Sequence, residues 1–522
     1  MSILAYLVFG IYTLTLTYVT IYCVLQFNLL LKYARKSKAI RAKQKLSFRF
    51  KKPVQALAGV AATDNGLWEK DHQDSTADFP FVTVQLPIYN EKYVIERLID
   101  RIVEFEYPKD RFEIHILDDS TDETVDIVAK KVAYYKAQGF QIEQVQREIR
   151  QGYKAGALRD GMAQAKGEFL AIFDADFLPR TDFLLKTIPY FKDPEIGVVQ
   201  TRWEHINEEY SLLTRLQAIQ LNVHFSVEQM GRMAGNHFLQ FNGTAGVWRR
   251  ATIDEAGGWE ADTLTEDLDL SIRAQLKGWK IHYLEGVGSP AELPAEMNSL
   301  KSQQFRWMKG GAETAKKMLP TIWRAPIGLS KKFHATFHLL ASTIFLFVFV
   351  MGVFSVPLIF FLGETNVLQI EGNFFSIFMV GLLSVMGIYF VANVNAPFNE
   401  GSLLKRLLKF VILFPLFLAL SMGLSLHNSI AIIQGYRGKR SPFVRTPKFN
   451  IKSIKDSFAS NKYINRKLSW TTLFEGLLAV YFAFAVFWAI NLGEYTFIAY
   501  HLMLALGFGT IFYYTMKHWS LK

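Results

Sequence analysis

Hydrophobic and polar positions divide this chain into three stretches. Ile3 to Leu31 is a nearly uncharged apolar run, long enough to cross a hydrocarbon layer of about 30 Å as a helix. From about Pro80 to Ala315 short apolar runs alternate with turn signals, as in a domain that buries its own core. Apolar density then rises again, with candidate spans at His338 to Phe361, Phe374 to Val394, Leu408 to Ile433, Thr471 to Ile490 and Thr496 to Tyr514. The predicted organisation is an N-terminal transmembrane helix (1–31), a basic and polar cytoplasmic linker (32–79), an α/β domain (80–315), interfacial and transmembrane helices (316–433), a basic cytoplasmic loop (434–470) and C-terminal transmembrane helices (471–522).

Charge sets the expected sidedness. Lys32, Arg35, Lys36, Lys38, Arg41, Lys43, Lys45 and Arg49 follow the first run and favour the cytoplasmic face, so the middle domain is expected in the cytoplasm of a multi-pass membrane protein. A cleaved signal peptide fits less well, because the run is long, lacks a basic start and precedes no small-residue cleavage site. If all five later candidates crossed, the basic stretch Arg437 to Lys467 would fall outside. The charge rule instead keeps it inside, and one candidate, within Leu408 to Ile433, is expected to lie along the interface or re-enter. Ser421, Ser425, His427, Asn428 and Ser429 there suit protein or a polar channel better than lipid.

The middle domain reads as strand, turn and helix in succession. Phe81 to Pro87 is a strand signal ending in the turn Ile88 to Glu91 before a helix, Tyr93 to Val103. Phe112 to Leu117 is a second strand, followed by Asp118-Asp119-Ser120-Thr121-Asp122 and a helix, Glu123 to Ala137. Phe169 to Phe173 is a third, and it delivers Asp174-Ala175-Asp176. This succession predicts an α/β fold with a mostly parallel sheet and ligands at the carboxyl ends of its strands. Two carboxylates one residue apart on an extended chain point the same way, and such hard oxygens suit Mg²⁺ or Mn²⁺ shared with a diphosphate. Between these strands Arg150 and Lys154 flank Gly152 and are placed to meet phosphate before a helix, Ala157 to Ala165.

The second half of the domain carries a polar turn, Phe241 to Gly246, and the acids of Thr265-Glu266-Asp267, where Thr265 is a candidate helix cap. Gln303, Arg306 and Trp307 share one helical face; arginine fits a diphosphate bidentately and indole stacks on a sugar ring. Cys23 is the only cysteine, which excludes intrachain disulfides and multi-cysteine metal sites. Net charge is +11, but much of the basic excess flanks apolar spans, so anionic lipid explains it better than nucleic acid, which is not an expected partner. There is no Walker-type loop and no Gly-x-Gly-x-x-Gly after the first strand.

On these residues the chain resembles family 2 of the glycosyltransferases, the inverting A-type nucleotide-sugar-binding fold, here inserted between N- and C-terminal transmembrane helices. Val199 to Trp203, Phe241 to Trp248, Glu255 to Trp259, Leu276 to Lys280 and Glu292-Leu293-Pro294 are similar to the cellulose-synthase-like glucomannan and xyloglucan-backbone synthases. The resemblance implies Asp267 as catalytic base and Asp118, Asp119, Lys154, Asp174 and Arg306 at the nucleotide-sugar donor. It implies Gln303, Trp307 and Glu266 at the acceptor, and Asp174 with Asp176 at an Mg²⁺ or Mn²⁺ ion. It implies a β-linked hexose polymer, with β-1,4 linkage favoured, built from GDP-mannose or UDP-glucose and passed through the membrane, with Phe474, Tyr481, Phe482, Phe484 and Trp488 as candidate channel aromatics. Phe443-Val444-Arg445-Thr446-Pro447-Lys448 is similar to the gating motif of cellulose synthases, with Phe443, Thr446 and Lys448 kept and Arg445 in place of valine. The alternative is a non-processive enzyme that adds one sugar to a lipid acceptor.

Overall fold

The computed structural model describes residues 2–49, 79–363, 376, 378–451, 456, 462, 463 and 468–520. Residues 50–78 of the expected linker lie outside the described residues, as does the beginning of the Phe374 to Val394 span. Helix α1 (Ser2–Arg49) is continuous through the apolar run and its basic flank, so the linker begins as helix. The flank is rich in Lys, Arg, Ala, Gln and Leu and free of Gly and Pro, and nothing in it stops the helix.

The middle region contains β1 (Val82–Ile88), α2 (Ile95–Val103), β2 (Phe112–Asp118), α3 (Thr124–Ala137), β3 (Ile142–Gln146), α4 (Tyr153–Met162), β4 (Phe169–Ile172) and α5 (Phe183–Thr187). It continues with β5 (Ile196–His205), α6 (Leu212–Val223), α7 (Gln229–Ala234), β6 (Gly246–Arg249), α8 (Arg250–Glu255), α9 (Glu266–Leu276) and β7 (Lys280–Ala291). The seven strands form one sheet in the order β3-β2-β1-β4-β6-β5-β7. It is parallel along β3-β2-β1-β4 and between β5 and β7, while β6 runs antiparallel to both neighbours. The sheet is therefore mixed. Because Gly246 pairs with Ile172 and Arg249 with Phe169, the chain enters β6 at the carboxyl end of β4. That entry sets the 241–245 turn beside Asp174.

Both sheet faces are covered, which is why β2 is buried along its whole length, Glu113 and His115 included. Val82, Val84, Leu86 and Ala171 pack with Ile95, Leu98, Ile99 and Val128 of α2 and α3. Leu170 and Ile172, on the other pleat, pack with Leu158, Leu270, Ala274 and Met230, and the same cluster takes in Leu30 and Tyr33 of α1 and Ile388 of α13 (Met379–Phe390). The sheet thus shares a core with the apolar helices.

After β7 come α10 (Met297–Arg324), α11 (Leu329–Leu339), α12 (Ile344–Gly363), α13, α14 (Leu403–Gly423), α15 (Ser425–Tyr436), α16 (Trp470–Leu492) and α17 (Ile498–Ser520). The 315/316 boundary falls inside α10, so one helix joins the two regions. Among the described residues Ile3–Gln44, Leu329–Phe361, Trp470–Leu492 and Tyr495–Ser520 are long and apolar enough to cross a membrane. Helices α14 and α15 meet that standard together but bend by 47° at Leu424.

Candidate active site

At the end of β1, Asn90 adopts a positive φ of 55° and accepts from Thr121 N–H at 2.8 Å, tying this turn to the one after β2. Glu91 follows, buried against the Arg445 guanidinium at 3.0 Å. Its carboxyl is pushed up to about 7 by burial, with Asp176 and Asp174 adding to the rise and Arg445 and Lys448 opposing it. No motif in the sequence marks Glu91.

The acids after β2 are held by neighbours. Asp118 Oδ1 accepts from Ser120 N–H at 2.9 Å and Oδ2 from Gln144 Nε2 at 2.8 Å. Asp119 is gripped by Arg147 through Nε at 2.9 Å and Nη2 at 2.5 Å. Arg147, not singled out from the sequence, also reaches Asp160 at 3.0 Å. Arg150 stacks over the Tyr89 ring at 3.5 Å.

Helix α4 starts at Tyr153, earlier than expected, because Gly152 takes a left-handed φ of 75° that turns the chain into it. Lys154 therefore sits in its first turn. Its ammonium donates to Asp174 Oδ1 at 2.5 Å and to the Gly243 carbonyl at 2.9 Å. Asp174 N–H donates to Thr244 Oγ1 at 2.8 Å. Strand β4 stops at Ile172, and Asp174 to Phe177 form a turn closed by a 3.1 Å backbone bond, so the two aspartates do not share an extended segment as expected. Asp176, nearly buried, instead takes Lys448 Nζ at 2.7 Å and Glu292 N–H at 3.3 Å.

Gly243 (φ 76°) carries the polar turn past the site, and a Cβ there would stand 3.0 Å from Asp267 Oδ2 and 3.5 Å from Lys154 Nζ. Asp267 and Glu266 begin α9. Thr265 does not cap it with its side chain as expected; its hydroxyl meets Thr314 Oγ1 at 3.1 Å because α10 crosses here. The crossing is close, since a Cβ on Gly310 would lie 2.6 Å from Thr265 Cγ2. The contact brings Arg306 within electrostatic reach of Asp174, Glu266, Glu91 and Asp176. Gln303 and Trp307 are half-buried on the same helix. Burial raises the carboxyls of Asp267 and Glu266; Glu266 adds to the rise at Asp267, and Lys154 opposes it at both.

The segment after α15 lies across this cleft. Arg306 donates to Thr446 Oγ1 at 2.8 Å and stands 4.6 Å over the Phe443 ring, which stacks on Tyr153 at 5.9 Å. With Lys448 on Asp176 and Arg445 on Glu91, each of the three expected gating residues touches a site residue, and so does the arginine that departs from the motif.

The acids grouped closely enough to hold a metal among the described residues are Glu260, Asp262 and Asp269, a different set from Asp174 and Asp176. Lys317 occupies that group, at 2.5, 2.8 and 3.1 Å from the three, and Arg273 binds Asp269 at 2.8 Å. Ammonium and guanidinium already neutralise it, which makes it a brace between α9 and α10. Asp174 and Asp176 offer the hard oxygens a divalent ion needs, in a cleft whose surplus of acid is felt at Glu91.

Of the candidate channel aromatics, Phe482 is fully buried against Phe508, Phe474 and Phe484 are exposed, Trp488 packs near Phe360, and Tyr481 donates to the Val353 carbonyl. Their surroundings are helix packing and the outer surface. Polar groups gather instead between α10, α15 and α16, where Lys301 pairs with Glu475 at 2.6 Å and His427 Nε2 donates to the Lys301 carbonyl at 2.9 Å. Buried Asn428 beside them has no protein partner for either amide atom.

Residues 80–310 match the family model described as "Glycosyltransferase like family 2". The chain is 42% identical over 292 residues to a probable glucomannan 4-beta-mannosyltransferase 6 of Oryza sativa subsp. japonica, covering 54% of this chain and 51% of that one. It is 42% identical over 272 residues to glucomannan 4-beta-mannosyltransferase 7 of Arabidopsis thaliana, covering 51% and 49%. The chain spans about half the length of these curated relatives. A solved mannosyltransferase of Pyrobaculum calidifontis, in complex with GDP-Man and Mn²⁺, overlays with a TM-score of 0.49 at 19% identity, over 81% of this chain and 100% of that one. Residues 80–310 are thus what this chain shares with glycosyltransferase-like family 2, and the plant glucomannan mannosyltransferases are among the proteins it resembles.

Proposed function

We propose that this protein is an inverting, metal-dependent membrane glycosyltransferase that extends a β-linked hexose polysaccharide from a nucleotide sugar. The supporting observation is a single cleft in which the Lys154 ammonium bridges Asp174 and the Gly243 carbonyl while Asp267 stands against Gly243. In this reading the Asp267 carboxylate takes the proton of an acceptor hydroxyl as that oxygen bonds to the anomeric carbon. The bond from that carbon to phosphate breaks on the opposite side, and its electron pair leaves with the nucleotide diphosphate. A carboxyl raised by burial is a better base near neutral pH than a solvated one.

Lys154 and Arg306 would bind diphosphate oxygens, and Asp174 and Asp176 would hold the divalent ion, which when bound supplies positive charge at the leaving group. Lys448 and Lys154 must then give up their carboxylate partners. Gln303, Trp307 and Glu266 would set the acceptor. The names of the plant relatives favour mannosyl transfer in β-1,4 linkage. The buried polar groups Lys301 and Glu475, paired between α10 and α16, and Asn428 of α15, without a protein partner, favour passage of the product between these helices.

The test is the purified protein in lipid with GDP-mannose or UDP-glucose and Mn²⁺ or Mg²⁺, with product length and linkage determined. Asp267→Asn is expected to lower kcat by roughly 10² to 10⁴ with donor affinity unchanged; equal loss of donor affinity would make Asp267 a binding residue. Asp176→Asn is expected to weaken Mn²⁺ binding in the presence of nucleoside diphosphate, read by electron paramagnetic resonance. A product of one sugar on a lipid would overturn the polymerase reading.

A further inference from the structure

Lys32 is the first charged residue after the apolar run that ends at Leu31. Its ammonium touches His237 Nε2 and lies 3.4 Å from His334 Nε2. The two imidazoles, one just beyond α7 and one on α11, stack at 3.7 Å between centroids. The three groups come from elements far apart in sequence, and the packing that joins them is tight: a Cβ on Gly235 would sit 2.5 Å from His237 Cδ2 and 2.8 Å from Lys32 Cδ.

The charged groups that act most strongly on this cluster are also basic. They are Lys36 of α1, whose Nζ donates to the Ala234 carbonyl, Arg232 of α7 and Lys331 of α11. Arg232 is already paired with Glu228 at 3.3 Å. No carboxylate among the described residues pairs with Lys32, His237 or His334. His237 Nδ1 is buried without a partner, and burial, then His334, Lys32, Arg232 and Lys331, push this imidazole down to about 3. Like charges gathered in a partly desolvated place, with donors to spare, lack an anion with acceptor oxygens.

The depth of the cluster identifies the anion. Leu31, Leu329 and Phe333 are exposed beside it at 40%, 66% and 49%, the pattern of side chains that meet lipid. Basic groups at the end of an apolar span lie at the level of the lipid phosphates. We propose that Lys32, His237 and His334 form a binding site for the phosphate headgroup of an anionic phospholipid. On binding, the ammonium and the imidazole N–H groups turn to the phosphate oxygens. The site rests on the packing of α1, α7 and α11, and stands whether or not the transferase reading holds.

The experiment titrates the full chain, purified and delipidated in a neutral detergent, with phosphatidic acid, phosphatidylcholine and inorganic phosphate. Phosphatidic acid is expected to bind at least about tenfold tighter than the other two, a difference of about 1.4 kcal/mol. Lys32→Ala, His237→Gln and His334→Gln should each remove most of that margin, while Lys38→Ala on the exposed side of α1 and Lys32→Arg should keep it. Unchanged binding in His334→Gln and Lys32→Ala, or an equal loss in Lys38→Ala, would overturn the site. Inorganic phosphate binding as tightly as the lipid would overturn its lipid identity. Thermal unfolding in the same detergent shows whether each variant is folded, and if Lys32→Ala is not, His334→Gln and His237→Gln decide.

Discussion

Glu91 carries its charge at a cost to the fold. Its carboxyl stands near 4.5 when solvated and about 7 in the folded chain. Between those values the folded state holds more protons than the unfolded one, so stability falls as pH rises through that window and the loss is complete above 7. Glu91→Gln is therefore expected to raise the unfolding temperature in detergent at pH 8 by about 2 °C, for a gain of about 1 kcal/mol, and to leave it unchanged near pH 4. No gain at pH 8 would mean that the Arg445 pair outweighs burial. The cleft around Glu91 was legible from sequence where acids follow apolar strands: Asp174, Asp176, Glu266, Asp267, Lys154 and Arg306 do converge on it. Glu91 itself was not, because a single glutamate after a strand looks like any helix-entry acid and its environment is made by Arg445, distant in the chain. The grip of Arg147 on Asp119 escaped for the same reason.

At the scale of elements the segment after α15 is a strap whose side chains occupy groups proposed for the donor and its metal. Lys448 neutralises Asp176, and Phe443 and Thr446 hold Arg306. Replacing Phe443, Thr446 and Lys448 together with alanine is expected to lower turnover at least about tenfold, since the groups that align Arg306 and screen Asp176 go with them; unchanged turnover would refute a role for the segment in the reaction. Strands β1, β2 and β4 were readable as short strand signals dense in Val, Ile, Leu and Phe, because helices bury both of their faces. The others were not. β3 is a half-exposed run, Ile-Glu-Gln-Val-Gln, β6 has four residues, and β7 contains Lys280, His282, Glu285 and two glycines. The pairing of β6 antiparallel to β4, which sets the Gly243 turn at the site, depends on long-range register that no local pattern carries.

For the whole molecule the strap fixes how the chain threads its apolar helices. Arg306 on α10 touches Thr446 just beyond α15, so the chain leaves and regains the side that holds the cleft, and the number of crossings between these residues is even. Helices α12, α13 and the bent α14–α15 pair are the three candidates. Lys409, near the start of α14, binds Glu208 at 2.7 Å and Glu209 at 2.9 Å, and the end of α15 is tied to α10 by Lys316 on the Tyr436 carbonyl at 2.9 Å. Both ends of the bent pair therefore lie on the cleft side, the arrangement of a re-entrant or interfacial hairpin and in keeping with its 47° bend; α12 is then the crossing helix of this group, and the shorter α13 would have to carry the return. In a Cys23→Ser background, with cysteine placed singly at Ser402, Ser441 and Gly493 and the protein in sealed vesicles, an impermeant maleimide is expected to label Ser402→Cys and Ser441→Cys from one side and Gly493→Cys, between α16 and α17, from the other. Labelling of Ser402→Cys and Ser441→Cys from opposite sides would make the bent pair a full crossing and break the parity on which the shared location of strap and cleft depends.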